Sequence, residues 1–279
     1  MLNKLNWDAL GRGCIYLLFG LVPVFFLPLT SFPISENKSV LAGVLVLVAL
    51  GAFLAHTLSA GTLAVPKTRL WFALAAFFAI IGISTLSSAS PETSFWGNGA
   101  SADSFFTFLI YGLALFLTPI FLRESSHLIR ALLFFSGSLF VISLYSLLQF
   151  FGVFVLPLDF TRQLSFNPVG TVQALAILLG SGLVMIMALL TSFKLSGGIK
   201  LAFALGGALL AVILVLVNFS YVWLGILLAS ALVVAWQIMH SRRAGAGESA
   251  GIIGGAGAMM RPKFGLPLVL MIVVAILFF

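Results

Sequence analysis

Arg162 is the residue of this chain whose type and setting best suit binding chemistry. It stands in the stretch 161–176, TRQLSFNPVGTVQALA, a polar break in an otherwise almost continuously apolar sequence. A guanidinium can hold a phosphate through two parallel N–H donors. An apolar run resumes at Pro168, and a helix starting there aims unpaired N–H groups and a positive dipole end at the same place. An arginine beside such a helix start fits a pyrophosphate. The plainer reading pairs Arg162 with Asp159 or with lipid phosphates, and both readings stand at this point.

Asp103 and Trp96 form the second candidate, in the stretch 89–103, ASPETSFWGNGASAD. Phe95 and Trp96 suit a membrane interface. Gly97-Asn98-Gly99 suits a tight turn. Asp103, with Ser101 or Ser104, suits the N-cap of the next helix. That structural reading covers the whole stretch. The functional one puts an aromatic ring and an acid at the mouth of a helix bundle, against a carbohydrate or a lipid headgroup. Gln149, Gln173 and Asn218 are polar groups in or near apolar runs, where hydrogen bonds between helices explain them.

Other chemistries lack residues. His56, His127 and His240 have no carboxylate or second histidine at metal-ligand spacing, so loop or interfacial roles are expected. The sequence has no H-E-x-x-H, G-x-S-x-G or phosphate-binding G-K-[ST] motif. No metal or cofactor is expected. Cys14 is the single cysteine, which excludes an internal disulfide, and it reads as a packing residue.

The elements that must position these residues follow from composition. The 279 residues are 62% hydrophobic and 8% charged, against about 25% charged in a soluble domain. A water-soluble fold of this size cannot hide so much apolar surface, so the solvent is lipid. The runs are too long and too solidly apolar for a β-barrel. The expected fold is all-α, a polytopic transmembrane helical bundle forming a single domain over 1–279. Spans of about 20 apolar residues read at 14–30, 40–61, 70–88, 104–122, 131–155, 168–192, 200–218, 221–240 and 266–279. The first follows Lys4 and Arg12, but no A-x-A cleavage site precedes Ser31, so it reads as a retained helix, bent or ended by Pro23 and Pro28.

Charge gives the orientation. Lys4 and Arg12, Lys67 and Arg69, Arg123 and Arg130, Lys194 and Lys200, and Arg242, Arg243, Arg261 and Lys263 fall in alternate connections. Only Lys38 and Arg162 fall in the other set. Nine spans with a cytoplasmic N-terminus sort the charges this way. The net charge of +7 then records orientation, and no nucleic-acid partner is needed to explain it. The basic-flanked, Gly- and Ala-rich stretch 241–265 reads as a flexible cytoplasmic linker. Small residues at Gly180-Ser181-Gly182 and Gly206-Gly207-Ala208 read as helix-packing positions.

This layout resembles the O-antigen ligase and Wzy-type polymerase family of bacterial glycan-assembly proteins. The resemblance is carried by Ser90-Pro91-Glu92-Thr93-Ser94-Phe95-Trp96-Gly97 after the third span, by Asn167-Pro168-Val169-Gly170 with Ala174 at the start of a later span, and by the short turn Asn218-Phe219-Ser220. Tyr221 stands where relatives carry an arginine, and no histidine falls on the outer side. The resemblance implies a metal-independent glycosyltransferase of the bacterial inner (plasma) membrane. Its donor would be an undecaprenyl-pyrophosphate-linked glycan at the outer face. Such chemistry needs only a base and charge stabilisation, because pyrophosphate is a good leaving group. Arg162 would contact the pyrophosphate, with Asp103, Trp96, Asn167, Gln173 and Asn218 around the substrate. The expected protein is such a ligase or polymerase, or an N-terminal part without the family's large outer loop. A transporter or flippase for a lipid-linked or small solute, and a non-catalytic membrane scaffold, are the alternatives.

Overall fold

In the computed structural model, the described residues are 6–27, 34–62, 65–66, 68–97, 104–163, 166–192, 196–219, 221–226, 228–229 and 232. They are helical, with no strand among them. The helices are α1 (Trp7–Gly20), α2 (Ile34–Ala60), α3 (Leu70–Leu86), α4 (Pro91–Trp96), α5 (Phe105–Phe121), α6 (Ser125–Phe150), α7 (Val172–Ser192) and α8 (Gly197–Val217), with a 3₁₀ turn at Asp159–Thr161. Residues 221–226 continue as helix after α8. The expected span at 266–279, most of that at 221–240 and the linker at 241–265 lie outside the described residues. The chain divides into two compact units, Met1–Val172 and Gln173–Phe279.

Four helices are long and apolar enough to cross a membrane, at Glu36–Ala60, Ser125–Phe150, Val172–Leu190 and Gly197–Val217. Helices α3 and α5 are shorter and apolar. Helix α6, at 26 residues, is about 39 Å long, enough for a hydrocarbon core of about 30 Å. The solvent that suits these helices is visible on α3. Its only buried residue is Thr85, while Phe72, Ile80, Ile83 and Leu86 are exposed. Apolar side chains turned outward all round a helix belong in lipid.

Helix ends depart from the apolar runs where local capping takes over. Helix α1 starts at Trp7, seven residues before the expected span, because the Asn6 side chain accepts from the backbone N–H of Ala9 at 3.1 Å. Asp8 and Arg12 then pair one turn apart on its surface. The helix stops at Gly20 and passes into a turn over 21–24, which contains Pro23. Helix α6 starts at Ser125, where the expected span starts at 131, since its polar first turn is helical too. It ends at Phe150, ahead of Gly152 with φ +77°. The stretch expected to be a loop at 89–103 contains helix α4. Pro91 stands in its first turn and Gly97, at φ 83°, ends it, the usual asymmetry of proline at the start and glycine at the end.

The first unit has two distinct ends. At one, the start of α1, the end of α2 and the turn between α5 and α6 surround a common cleft. Trp71, at the start of α3, joins this end through ring contacts to Phe116 (5.1 Å) and through its indole N–H to the Pro66 carbonyl (2.7 Å). At the other end, Phe166 meets Phe26 after α1 (5.7 Å), Tyr145 of α6 (6.2 Å) and Phe160 (5.5 Å). The core between them includes Ile15, Val46, Leu117, Leu139 and Ile142, all fully buried. Close approach has specific sites. A Cβ at Gly11 would run into the Phe121 ring, and one at Gly112 into the Phe78 ring.

In the second unit, α7 and α8 pack where Gly207 faces Ile186 and Leu183. Gly180 packs against Val222 and Ile226, with so little room that a Cβ would lie 2.5 Å from Val222. Glycine thus serves close packing at two of the expected small-residue positions.

Candidate functional site

Arg162 closes the 3₁₀ turn Asp159–Thr161. Its side chain is 60% exposed, and its nearest acid is the fully exposed Asp159 carboxylate at 3.9 Å. An exposed pair at that separation adds little stability, so the guanidinium keeps donors open to solvent. The plainer reading of the sequence, a pair with Asp159, is thus present and weak.

The turn itself is held firmly. Gln149, buried at the end of α6, donates from Nε2 to the backbone carbonyl of Thr161 at 3.1 Å and to that of Gln163. The two carbonyls flank Arg162. The Thr161 hydroxyl, also buried, donates to the carbonyls of Leu158 (2.7 Å) and Leu156 (3.1 Å). Sequence reasoning expected Gln149 to bond between helices; it holds a loop instead. Nothing in its local sequence identifies this partner, because the loop returns 12 to 14 residues later.

Asn167 is buried, and its side-chain oxygen accepts from the N–H groups of Val169 (3.1 Å) and Gly170 (3.0 Å). It is an Asx-type turn closed by its own side chain, and Gly170 at φ +128° completes it. Trp96 is 61% exposed and lies against Phe95 (4.8 Å) and Phe106 (5.3 Å). Ser104 caps α5, accepting from the Thr107 N–H at 3.2 Å. Asp103 lies outside the described residues. Gln173 and Asn218 belong to the second unit. Gln173 is exposed in the first turn of α7, and Asn218 ends α8 in the left-handed conformation at φ 49°, a position asparagine tolerates. The structure therefore anchors the turn that carries Thr161 and Arg162 on Gln149 of α6 and gives Asn167 and Asn218 backbone roles.

The second cation expected on this side differs from Arg162. Lys38 is buried and donates to the Pro23 carbonyl at 2.6 Å. It ties the start of α2 to the turn after α1.

A second polar place lies at the opposite end of the first unit. Its cleft of ≈ 190 Å³ is lined by Asp8, Arg12, His56, Arg123, Glu124 and His127 over a floor of Phe53, Ile120 and Phe121. The Tyr16 hydroxyl and His127 Nδ1 are 3.2 Å apart, and His127 Nε2 is 3.6 Å from the Glu124 carboxylate. Sequence reasoning treated these histidines as isolated. The available signals were Asp8 with Arg12 at i,i+4 and Glu124 with His127 at i,i+3. Their convergence with His56 depends on three separate helix ends meeting. No group of three metal-ligating side chains occurs among the described residues.

No family model, curated protein or solved structure matches this chain.

Proposed function

We propose that the chain is a multi-pass protein of the bacterial inner membrane, with about nine spans and a cytoplasmic N-terminus, that engages an undecaprenyl-pyrophosphate-linked glycan at its outer face as O-antigen ligases and related polymerases do. The sorting of cations supports the orientation. Arg12 and Arg123 line one cleft where α1 starts, α2 finishes and α5 turns into α6, and Arg69 stands just before α3, two residues from Trp71, which packs on Phe116; in this reading that is the cytoplasmic end.

The observation that carries the binding role is the contrast between two far-end cations. Lys38 is buried against a backbone carbonyl, whereas Arg162 is exposed on a turn fixed from behind by Gln149. A rigidly held, solvent-facing guanidinium on the outer face suits a pyrophosphate. In this reading Trp96 and Asp103 lie at the substrate entry.

The test is binding of undecaprenyl pyrophosphate to the protein in nanodiscs. Arg162→Ala and Arg162→Lys should both weaken it, the first by about tenfold or more, as expected for loss of a charge-assisted contact. Unchanged binding in both variants rules out the role given to Arg162.

A further inference from the structure

Helix α6 turns three polar side chains inward over its last two turns. Ser143, Ser146 and Gln149 are all at 5% exposure or less. Their spacing of three residues sets them along one face, about 9 Å from first to last along the axis. Ser143 Oγ, Ser146 Oγ and Gln149 Oε1 have no hydrogen-bond partner among the described residues. The Gln149 amide is thus satisfied on one side only, where Nε2 holds the Arg162 turn.

A helical hydroxyl has a simple way to be satisfied, by donating to a carbonyl of the preceding turn. Other hydroxyls of this chain do so. Thr118 donates to Ala114 (2.7 Å), Ser136 to Leu132 (2.8 Å) and Ser138 to Phe135 (2.8 Å). Ser143 and Ser146, on the same helix as the last two, do not. One turn before them stand Leu139 and Ile142, both fully buried. An unpaired polar atom in such apolar surroundings is costly, and three on one face call for a common partner.

The chemistry of that partner is narrow. Gln149 Oε1 only accepts, so the partner donates there, while the serine hydroxyls both donate and accept. All three groups are neutral, so a metal cation would keep an unbalanced charge among apolar residues. The small neutral molecule that donates and accepts at once is water, which in protein interiors makes about three hydrogen bonds to such groups. We propose that this face of α6 is a water-binding site. One water donates to Gln149 Oε1 and bonds the Ser146 hydroxyl, and water joins Ser146 to Ser143. The site also explains how the amide of Gln149 keeps its Nε2 turned to the Thr161 carbonyl. It depends on neither the pyrophosphate role of Arg162 nor the orientation of the chain.

The experiment is thermal unfolding of the full chain in detergent, for Ser143→Ala, Ser146→Ala and the double variant, with Ser136→Ala as reference. Each of the first two should lower the midpoint by about 2–4 °C. The double variant should lose less than the sum, because both hydroxyls serve the same water. Ser136→Ala gives up a bond to its own helix and gains a better helix former, so its midpoint should not fall. An unchanged or raised midpoint in Ser143→Ala or Ser146→Ala overturns the proposal, as do strictly additive losses. A wild-type midpoint that falls when Na⁺ and K⁺ are replaced by N-methylglucamine would assign the place to a cation and overturn it too. The direct reading is NMR magnetisation transfer from water to the Gln149 side-chain amide. It should be present in wild type and lost in the double variant, and its absence in wild type counts against the site.

Discussion

Gln149 grips the backbone on both sides of Arg162, donating to the carbonyls of Thr161 and Gln163 from the last turn of α6. The amide is buried at 3% exposure, and its bond to the Thr161 carbonyl forms away from competing water. The arrangement separates two jobs. Arg162 presents charge, and Gln149 fixes where that charge stands.

Gln149→Leu should therefore loosen the turn without removing any charge. The buried Thr161 carbonyl loses its donor, at a cost of about 1–3 kcal/mol, and the part-buried Gln163 carbonyl loses a second bond. Gln149→Glu should behave similarly at neutral pH, because a carboxylate cannot donate. The check is the modification rate of Arg162→Cys by a soluble thiol reagent, with Cys14 replaced by alanine. The rate should rise when Gln149 is also changed. An unchanged rate would show that the turn holds its shape without the amide.

Gly112 on α5 leaves room for the Phe78 ring of α3, and a Cβ there would overlap that ring. Gly112→Ala should destabilise the first unit by about 1–3 kcal/mol through overpacking. Phe78→Leu in the same chain should recover part of the loss, because the smaller side chain reopens the contact. Thermal unfolding in detergent of the single and double variants measures the coupling. Strictly additive losses would mean that the two residues do not meet.

How much of this was legible beforehand depends on the range of the interaction. The all-helical architecture followed from long apolar runs, and α2, α3, α5, α7 and α8 lie close to the expected positions. The early start of α1 depends on one side chain, Asn6, capping a polar first turn. The six residues of α4 are too few to register as an apolar span, although Pro91 and Gly97 mark its ends. Arg162 was visible because it breaks the charge pattern. Gln149, its support, was visible only as a polar residue near a span. The cleft joining Asp8, His56 and His127 could not be read at all. Those residues are brought together by helix packing across more than a hundred positions of sequence, and no spacing rule spans that distance.

The Tyr16 hydroxyl and His127 Nδ1, 3.2 Å apart, link α1 to α6 beside the stacked rings of Tyr16 and Phe134. Tyr16→Phe keeps the ring stack and removes the hydrogen bond. It should cost about 0.5–1.5 kcal/mol, the net worth of one such bond. Tyr16→Ala should cost more, since the ring contact goes with it. The measurement is the thermal midpoint of the two variants in the same detergent. Equal losses would assign the whole effect to the hydroxyl, and no loss in Tyr16→Phe would assign it to the ring.

Glu124 and Asp159 bracket α6, one just before Ser125 and the other nine residues past Phe150. If α6 spans the bilayer with its start in the cytoplasm, these two acids face opposite compartments. The single native cysteine, Cys14, is buried in α1, so a Cys14→Ala background is suitable for thiol labelling. In intact cells an impermeant maleimide should label Asp159→Cys almost completely and Glu124→Cys hardly at all. Permeabilisation should bring Glu124→Cys up to the same level. Asp159 is fully exposed and Glu124 largely so, which removes burial as a reason for poor labelling. Labelling of both from outside would mean that α6 does not cross. Labelling of Glu124→Cys alone would invert the orientation, placing Arg162 in the cytoplasm and removing the outer-face pyrophosphate role.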